Sequence, residues 1–521
     1  MATESGAAPA APGQHAEPHG VMDKGLKKGA IGYISNVVIG VASTAPAYSL
    51  AATLGFIVAV KGVGVHAPAV MLVAFIPMLL VASAYKYFNR ADPDAGTTFA
   101  WTTRAFGPMT GWLNGWAIFL ADLIVMASLS DIAAVYTFKL FGFSELGSSK
   151  AAIIIAAVIW IAVMTWICYR GIELSARIQQ ALLGAEVLIL GLFSVVAFVK
   201  VYGSHPPSGS IKPSLSWINP FAMNFSDLVV ALLLAVFIYW GWDSGVAVNE
   251  ESEDPANGPG KAAVISTVLL VLIYVVVTAA SQSFHGVGFL TNEANQEDVL
   301  NALGTGVLGS TLNKLLVIAV LTSASASTQT TILPTARTTL SMAHWKAVTS
   351  LLSRVHKRYL TPTVSTLGFG LLSIIITIVL LLLSASVLED SLTAIGFPIC
   401  FYYGFTGVAC AFYYRHELAK SARNFLLLGA GPVLGGLILF GIGVKAAIYY
   451  GHAANVGSKP LLGITLPLWF GIGGMILGGV IMIFSRPFFR DFFSRKTETA
   501  PPGVLERPLA TIPPPVDFGE A

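Results

Sequence analysis

Four carboxylates, Asp122, Asp131, Glu186 and Asp243, fall inside stretches that otherwise consist of apolar and small residues. A charged side chain in such a stretch costs about 3 kcal/mol on membrane-insertion scales, which makes each one a candidate for holding a proton, a cation or a substrate ammonium group. Glu186 lies about eleven residues into its apolar run, roughly 16 Å deep at 1.5 Å per residue. That is too far for a short side chain to reach the interface. It reads as a group that can take up and release a proton, with a carboxylate permanently paired to a hydroxyl or amide, or one that binds a cationic substrate, as the alternatives. Asp122 and Asp131 are nine residues apart and so point to opposite faces of a regular helix. They cannot both line one cavity, and Asp122, the deeper, is expected to face the site.

The same regions carry backbone signals. "VASTAPAYS", residues 41–49, sets Ser43, Thr44, Ala45 and Pro46 in the middle of an apolar run, where proline removes a donor and clashes with the carbonyl four residues earlier. Opened backbone is tolerated in lipid only when buried in protein or lining a cavity. "FIYWGWDSGVAVNEESEDP", residues 237–255, places Tyr239, Trp240, Gly241, Trp242 and Asp243 about 20 Å along another run. That stretch reads either as a straight helix with its tryptophans near the inner interface or as a second broken helix. Two such breaks correspond if the chain holds two inverted five-helix repeats, an arrangement in which half-helix N–H groups meet a carboxylate and freed carbonyls meet a cation. A third stretch, "LTSASASTQTT" at 321–331, is dense in hydroxyls. Small-residue helix packing explains most of it.

These residues need helices that cross a bilayer, and the composition supplies them. The chain has 521 residues, of which 55% are hydrophobic and only 11% charged, with a mean hydropathy of +0.74. An ordinary soluble surface cannot be built from that. Runs of roughly 20 apolar residues, the length that spans about 30 Å of hydrocarbon, occur twelve times, at 33–60, 68–87, 110–140, 151–168, 175–201, 225–248, 262–284, 306–342, 363–386, 392–414, 425–450 and 464–484. The first and eighth exceed what a crossing requires. Lysine and arginine bias orients them: Lys24, Lys27, Lys28, Arg90, Arg104, Arg177, Arg358, Arg423 and Arg490 gather on one side, which predicts both termini in the cytoplasm. Residues 1–30 and 486–521, the latter with "APPG" and "IPPP", read as disordered tails flanking one transporter domain at 31–485. The basic residues before the first run resemble a signal peptide's charged region, but the run is too long for one.

Several chemistries find no motif. There is no Walker A loop, His416 and Glu417 begin an HExxH pattern that no second histidine completes, and Cys168, Cys400 and Cys410 lack metal-ligand spacing. No catalytic residue, metal, cofactor or nucleic-acid partner is expected.

The residues carry a family resemblance over 31–485. "ADPDAGTTFAWTTRAFGPMTGWLNGW" at 91–116, with Pro93, Gly96, Trp101, Gly107, Gly111 and the Gly115-Trp116 pair, is similar to the loop and entry to span 3 of the amino acid, polyamine and organocation permease superfamily. "YWGWDSGVAVNEESEDP" resembles that family's span 6, "ARTTLSMA" the end of its span 8, and "RVHKRYLTP" the loop into span 9. The resemblance implies an all-α integral membrane protein of twelve transmembrane helices with the leucine-transporter type of fold: a 5+5 inverted repeat, broken spans 1 and 6, and two extra helices.

It also implies a substrate between the breaks, carried over to Ser43, Thr44, Ala45, Pro46, Tyr239, Trp240, Gly241, Trp242 and Asp243, with Asp122 as a further ligand. Ser325 and Thr328, in the helix that relatives pack against span 1, and Glu186, where many proton-coupled relatives have a lysine, become the coupling group. One departure is the run Ser-Thr-Ala-Pro where the family usually has a Gly-Ser-Gly-like run, so that Pro46 lacks an N–H. The function expected is secondary active transport of amino acids across the plasma membrane, with protons as the coupled ion, and a polyamine or other organic amine as the alternative cargo. A passive channel, a receptor and an enzyme are the competing classes. Paired breaks and midplane tryptophans favour an occluding site over an open pore.

Overall fold

A computed structural model describes residues 23–296, 298–384, 387–456 and 458–500. Residues 1–22 and 501–521 of the expected tails, and Ser386 at the expected end of the ninth run, lie outside the described residues. The described chain is helical, with three isolated bridges and no β-strand.

Among the described residues, eleven helical segments are long and apolar enough to cross a membrane, and a twelfth apolar helix, Phe225–Ile238, is shorter. The main elements are α1 (Tyr33–Ser43), α2 (Pro46–Ala59), α3 (Ala67–Ala91), α4 (Thr98–Phe106), α5 (Pro108–Phe141), α6 (Lys150–Tyr169), α7 (Ile172–Tyr202) and α8 (Phe225–Ile238). They are followed by α9 (Gly258–His285), α10 (Val299–His344), α11 (Thr363–Leu383), α12 (Val387–Tyr413), α13 (Ala422–Tyr450) and α14 (Leu466–Ser485). The inner layer is α1, α2, α3, α5, α8, α10 and α12; α6, α11, α13 and α14 lie outside it with much of their apolar surface exposed. In lipid that exposure carries no penalty, which is why these outer helices read as continuous apolar runs.

The first run is interrupted where proline requires it. α1 ends in tight turns, with the N–H groups of Thr44 and Ala45 donating to Val41 and Ala42. Ala45 is left-handed, at φ 46° and ψ 66°. Pro46 then takes the first position of α2, where its missing N–H costs nothing. In the sixth run α8 stops at Ile238, Gly241 sits at φ 117°, and a one-turn helix, Ser244–Ala247, follows. Only glycine fits there: a Cβ on Gly241 would lie 2.7 Å from Ser43 Oγ. The two interruptions are therefore packed against each other. α10 contains a further deviation, Gly309 at φ 84°, so the long eighth run is two helices joined at a kink.

The base of the bundle, the end that holds residues 23–32, differs from the expected tail boundaries. Lys24 is 2% exposed and the 30–31 backbone pairs with 251–253. At the other terminus the Arg490–Phe493 helix buries Phe492, the Glu498 carboxylate reaches Arg104, and the Ala500 N–H donates to Tyr413. Composition marks these segments as polar, but buried ion pairs and the Phe492 anchor hold them to the bundle. The stretch around 98–106, expected only as a loop and helix entry, forms the separate helix α4, ended by Gly107 at φ 93°.

Candidate functional site

The break between α1 and α2 leaves the first donors of α2 and the last acceptors of α1 without partners in their own helix. Each finds one from another element. The Ala47 N–H donates to Glu186 Oε1 at 2.7 Å, and the Tyr48 N–H to Ser323 Oγ at 3.2 Å. Ser323 Oγ in turn donates to the same Glu186 oxygen at 2.9 Å. On the α1 side, Ser327 Oγ donates to the Ser43 carbonyl at 2.8 Å, and Ser49 Oγ to the Thr44 carbonyl at 2.6 Å. Thr44 Oγ1 donates to Val41, and Ser43 Oγ pairs with Ser244 Oγ at 2.8 Å, which joins the two breaks.

Glu186 thus sits at the positive end of a half-helix, in the position that an incoming carboxylate would seek. It is fully buried, and Oε2 has no hydrogen-bond partner. Both serines come from α10 at i and i+4, one face of that helix. Ser325 and Thr328, singled out in the sequence, lie off that face and bond back to their own helix, to Leu321 at 2.7 Å and Ala324 at 2.8 Å. Spacing within "SASAS" does not say which serine faces α1, so Ser323 and Ser327 were not distinguishable from their neighbours.

The second break builds an aromatic cage around Asp243. Tyr403 OH donates to Oδ1 at 2.7 Å, and Tyr402 and Tyr85 donate to Oδ2 at 3.3 and 3.4 Å. Trp242 stacks on Tyr403 with ring centroids 5.1 Å apart and meets Tyr85 edge-on at 4.9 Å. Its indole N–H is buried without a partner. Trp240 donates to Tyr402 OH, and Tyr239 OH reaches the Met71 carbonyl at 3.0 Å. Tyr274 donates to the Ile238 carbonyl at the end of α8. The three tyrosines around Asp243 were not anticipated; the only trace is the pair Tyr402-Tyr403 inside the apolar run 392–414.

Asp122 lies apart from the Glu186 cluster. Its Oδ2 accepts from Thr335 of α10 at 2.5 Å, and it is within electrostatic reach of Asp243. Asp243, Asp122 and Glu186 are therefore three carboxylates inside the bundle, Asp122 and Glu186 both buried. Each accepts only from hydroxyls or a backbone N–H. Asp131, nine residues and about two and a half turns of α5 further along, is the neighbour of Tyr48.

Beneath this centre the base is closed by charge. Lys24 pairs with Asp94 at 3.1 Å and with Glu250. Arg337 clamps Glu251 through two bonds at 2.6 and 2.9 Å, and Arg104 holds Asp92 at 2.6 Å. Burial alone would lift Asp94, but the Lys24 ammonium, the Ser341 hydroxyl and the N–H groups of Gly96 and Trp345 outweigh it and hold its pKa at about 2. Burial, offset in part by Lys24 and reinforced by the Asp94 charge, pushes Glu250 up to about 7. At the opposite end, a cavity of about 200 Å³ opens between α2, α8, α12 and α13, lined by Phe56, Val60, Leu234 and Tyr450 among others.

Comparison with known proteins agrees with this architecture. Residues 30–472 match the model of the amino acid permease family. A branched-chain amino acid permease of Bacillus subtilis is 25% identical over 328 residues, covering 58% of this chain and 65% of that protein. An Asc-type amino acid transporter of Mus musculus is 24% identical over 324 residues, covering 59% and 58%. An arginine/ornithine antiporter of Lactococcus lactis is 24% identical over 269 residues, covering 47% and 50%. The chain thus aligns with between half and two thirds of the length of these relatives. Since the family model spans most of its length, this multi-pass membrane protein belongs to the amino acid permease family.

Proposed function

We propose that the protein is a secondary active transporter that moves amino acids across the plasma membrane by alternating access, coupled to protons. The observation that carries the reading is the bond from the Ala47 N–H to Glu186 at the start of α2. While ionised, Glu186 satisfies the half-helix N-terminus itself. Protonation removes its charge from that helix pole and weakens its hold on the Ala47 N–H, so that a substrate carboxylate can compete for it. Proton and substrate then load together. Asp243, in its tyrosine cage, accepts the substrate ammonium, with Trp240 and Trp242 as the lid, and Ser43, Thr44, Ala45 and Pro46 form the opposite wall. Asp122 lines the substrate path. Ser325 and Thr328 enter the coupling region through the backbone of α10.

In this reading α1 with α2 and α8 with Ser244–Ala247 are spans 1 and 6 of two inverted five-helix repeats, which with two extra helices make twelve spans. Residues 31–485 form the transporter domain, and both termini are cytoplasmic. A polyamine or other organic amine is the second reading. It is favoured by Glu186 filling the carboxylate position while Asp243 remains available to an amine.

Purified protein in liposomes, with labelled substrate chosen by a competition screen of amino acids and amines, tests the proposal. Wild type should accumulate substrate under an acid-outside gradient and show trans-stimulation. Glu186→Gln should lose gradient-driven accumulation and retain exchange at equal pH. Wild-type accumulation in that variant makes Glu186 a structural residue. Transport without trans-stimulation points to a channel.

A further inference from the structure

Beyond α14 the chain crosses the base of the bundle as a strap. Phe492, in the one-turn helix Arg490–Phe493, is fully buried and stacks on Phe99 of α4 with ring centroids 5.7 Å apart. Arg495 lies over the ring of Trp345, just past α10, at 4.7 Å, and Arg104 of α4 lies over the same ring at 4.9 Å. Further on, the Glu498 carboxylate meets the Arg104 guanidinium at 2.7 Å, and the Glu498 N–H donates to the Arg104 carbonyl at 2.6 Å. The Ala500 N–H donates to the Tyr413 carbonyl at 2.9 Å. Residues 490–500 thus tie together the ends of α4, α10 and α12.

The two ends of the strap are held unequally. Phe492 is an anchor, because pulling it out would expose a whole aromatic side chain. The far end is held by one ion pair, in which the Glu498 side chain is 35% exposed, and by two backbone hydrogen bonds. Releasing that end strands no charge: Arg104 keeps Asp92 at 2.6 Å, and the Glu498 carboxylate turns to water. What the far end grips is α12, the helix that carries Tyr402 and Tyr403 to Asp243. Between Asp243 and the strap, Thr406 of α12 pairs with Thr98 at the start of α4. Parting α12 from α4 would therefore open the base toward Asp243. We propose that residues 490–500 are a clasp that keeps the base shut: Phe492 stays seated as the hinge, and Glu498 and Ala500 let go of Arg104 and Tyr413 when the bundle opens at that end.

The inference rests on the alternating-access reading for its purpose, but its test needs no transport. Cys410 lies one turn beyond Thr406 on the same face of α12 and is buried. Cys168 is equally buried but bonds to the Gln329 carbonyl at 3.6 Å, roughly 24 Å along α10 from Trp345. A buried thiol reacts only when the structure around it opens, so its alkylation rate measures opening at that place. Full-length protein in detergent is treated with N-ethylmaleimide, and each cysteine is followed by peptide mass spectrometry beside Tm. Glu498→Lys sets like charges at Arg104 and should speed alkylation of Cys410 about fivefold, with Cys168 and Tm unchanged. Glu145→Lys, the same charge change on an exposed residue between α5 and α6, should leave both rates as in wild type. A wild-type Cys410 rate in Glu498→Lys overturns the proposal, as does an equal rise in Glu145→Lys. So does a parallel rise at Cys168 with a fall in Tm, which makes the strap a structural brace. Absence of transport by the wild type would count against the transporter reading and leave the alkylation result standing.

Discussion

The bundle holds two populations of buried carboxylates that are solved in opposite ways. At the base, Asp92, Asp94, Glu250 and Glu251 each face Arg104, Lys24 or Arg337. In the middle, Glu186, Asp122 and Asp243 meet only hydroxyls and one backbone N–H. A buried opposite charge fixes geometry, because removing either member strands the other. Neutral donors fix orientation and leave the charge open to exchange with a proton or an ammonium group. Rigidity and chemistry are therefore assigned to different levels of one bundle.

The largest expected effect breaks the base. Arg337→Met leaves Glu251 uncompensated beneath the site and should cost about 3–5 kcal/mol, with Arg337→Met/Glu251→Leu recovering most of it. The matched change in the middle, Glu186→Gln, keeps an oxygen for Ala47 and Ser323 and should cost under about 1 kcal/mol. Thermal unfolding of the three proteins in one detergent measures both. Equal losses at Arg337 and Glu186 would erase the distinction between the two levels.

A smaller effect sharpens the middle. Asp243→Asn keeps the tyrosine cage in place but removes the acceptor charge, so substrate affinity should fall about tenfold while Tm holds. Binding at wild-type affinity would assign Asp243 to the framework with the base residues.

The smallest concerns pH at the base. Asp94, held at about 2, contributes stability that is full above its ordinary 3.8 and is lost as pH falls through about 2. Glu250 runs the other way: raised to about 7, it contributes stability present below its ordinary 4.5 and lost as pH rises through about 7. Wild-type Tm should therefore decline between pH 5 and 7.5 by a margin that Glu250→Gln removes, read in parallel melting curves. An identical slope in the variant places the titration elsewhere.

Much of the fold was legible because apolar length is a one-dimensional property. The expected runs overlap the observed helices to within several residues, and Pro46 located the first interruption because its ring forbids a continuous helix there. What stayed hidden depends on rotation and on partners distant in the chain. Ser323 and Ser327 face α2 and α1 while Ser325 and Thr328 do not, a difference set by the roll of α10. Tyr85, Tyr402 and Tyr403 come from two helices and look like ordinary aromatic content until Asp243 stands between them. Lys24 resembles a tail residue until Asp94 and Glu250 appear beside it.

The left-handed Ala45 also fixes a mechanical quantity. It sets the pivot at the very start of α2, which follows as regular helix for 14 residues. That makes a lever roughly 21 Å long. Turning it by about 10° swings its far end through roughly 4 Å, while the pivot and its bonds to Glu186 and Ser323 hardly translate. The far end carries Phe56, Ala59 and Val60 into the wall of the cavity of about 200 Å³. A displacement of that size is comparable to the width of a methyl group, so a small rotation at one residue is geometrically enough to change the width of that cavity.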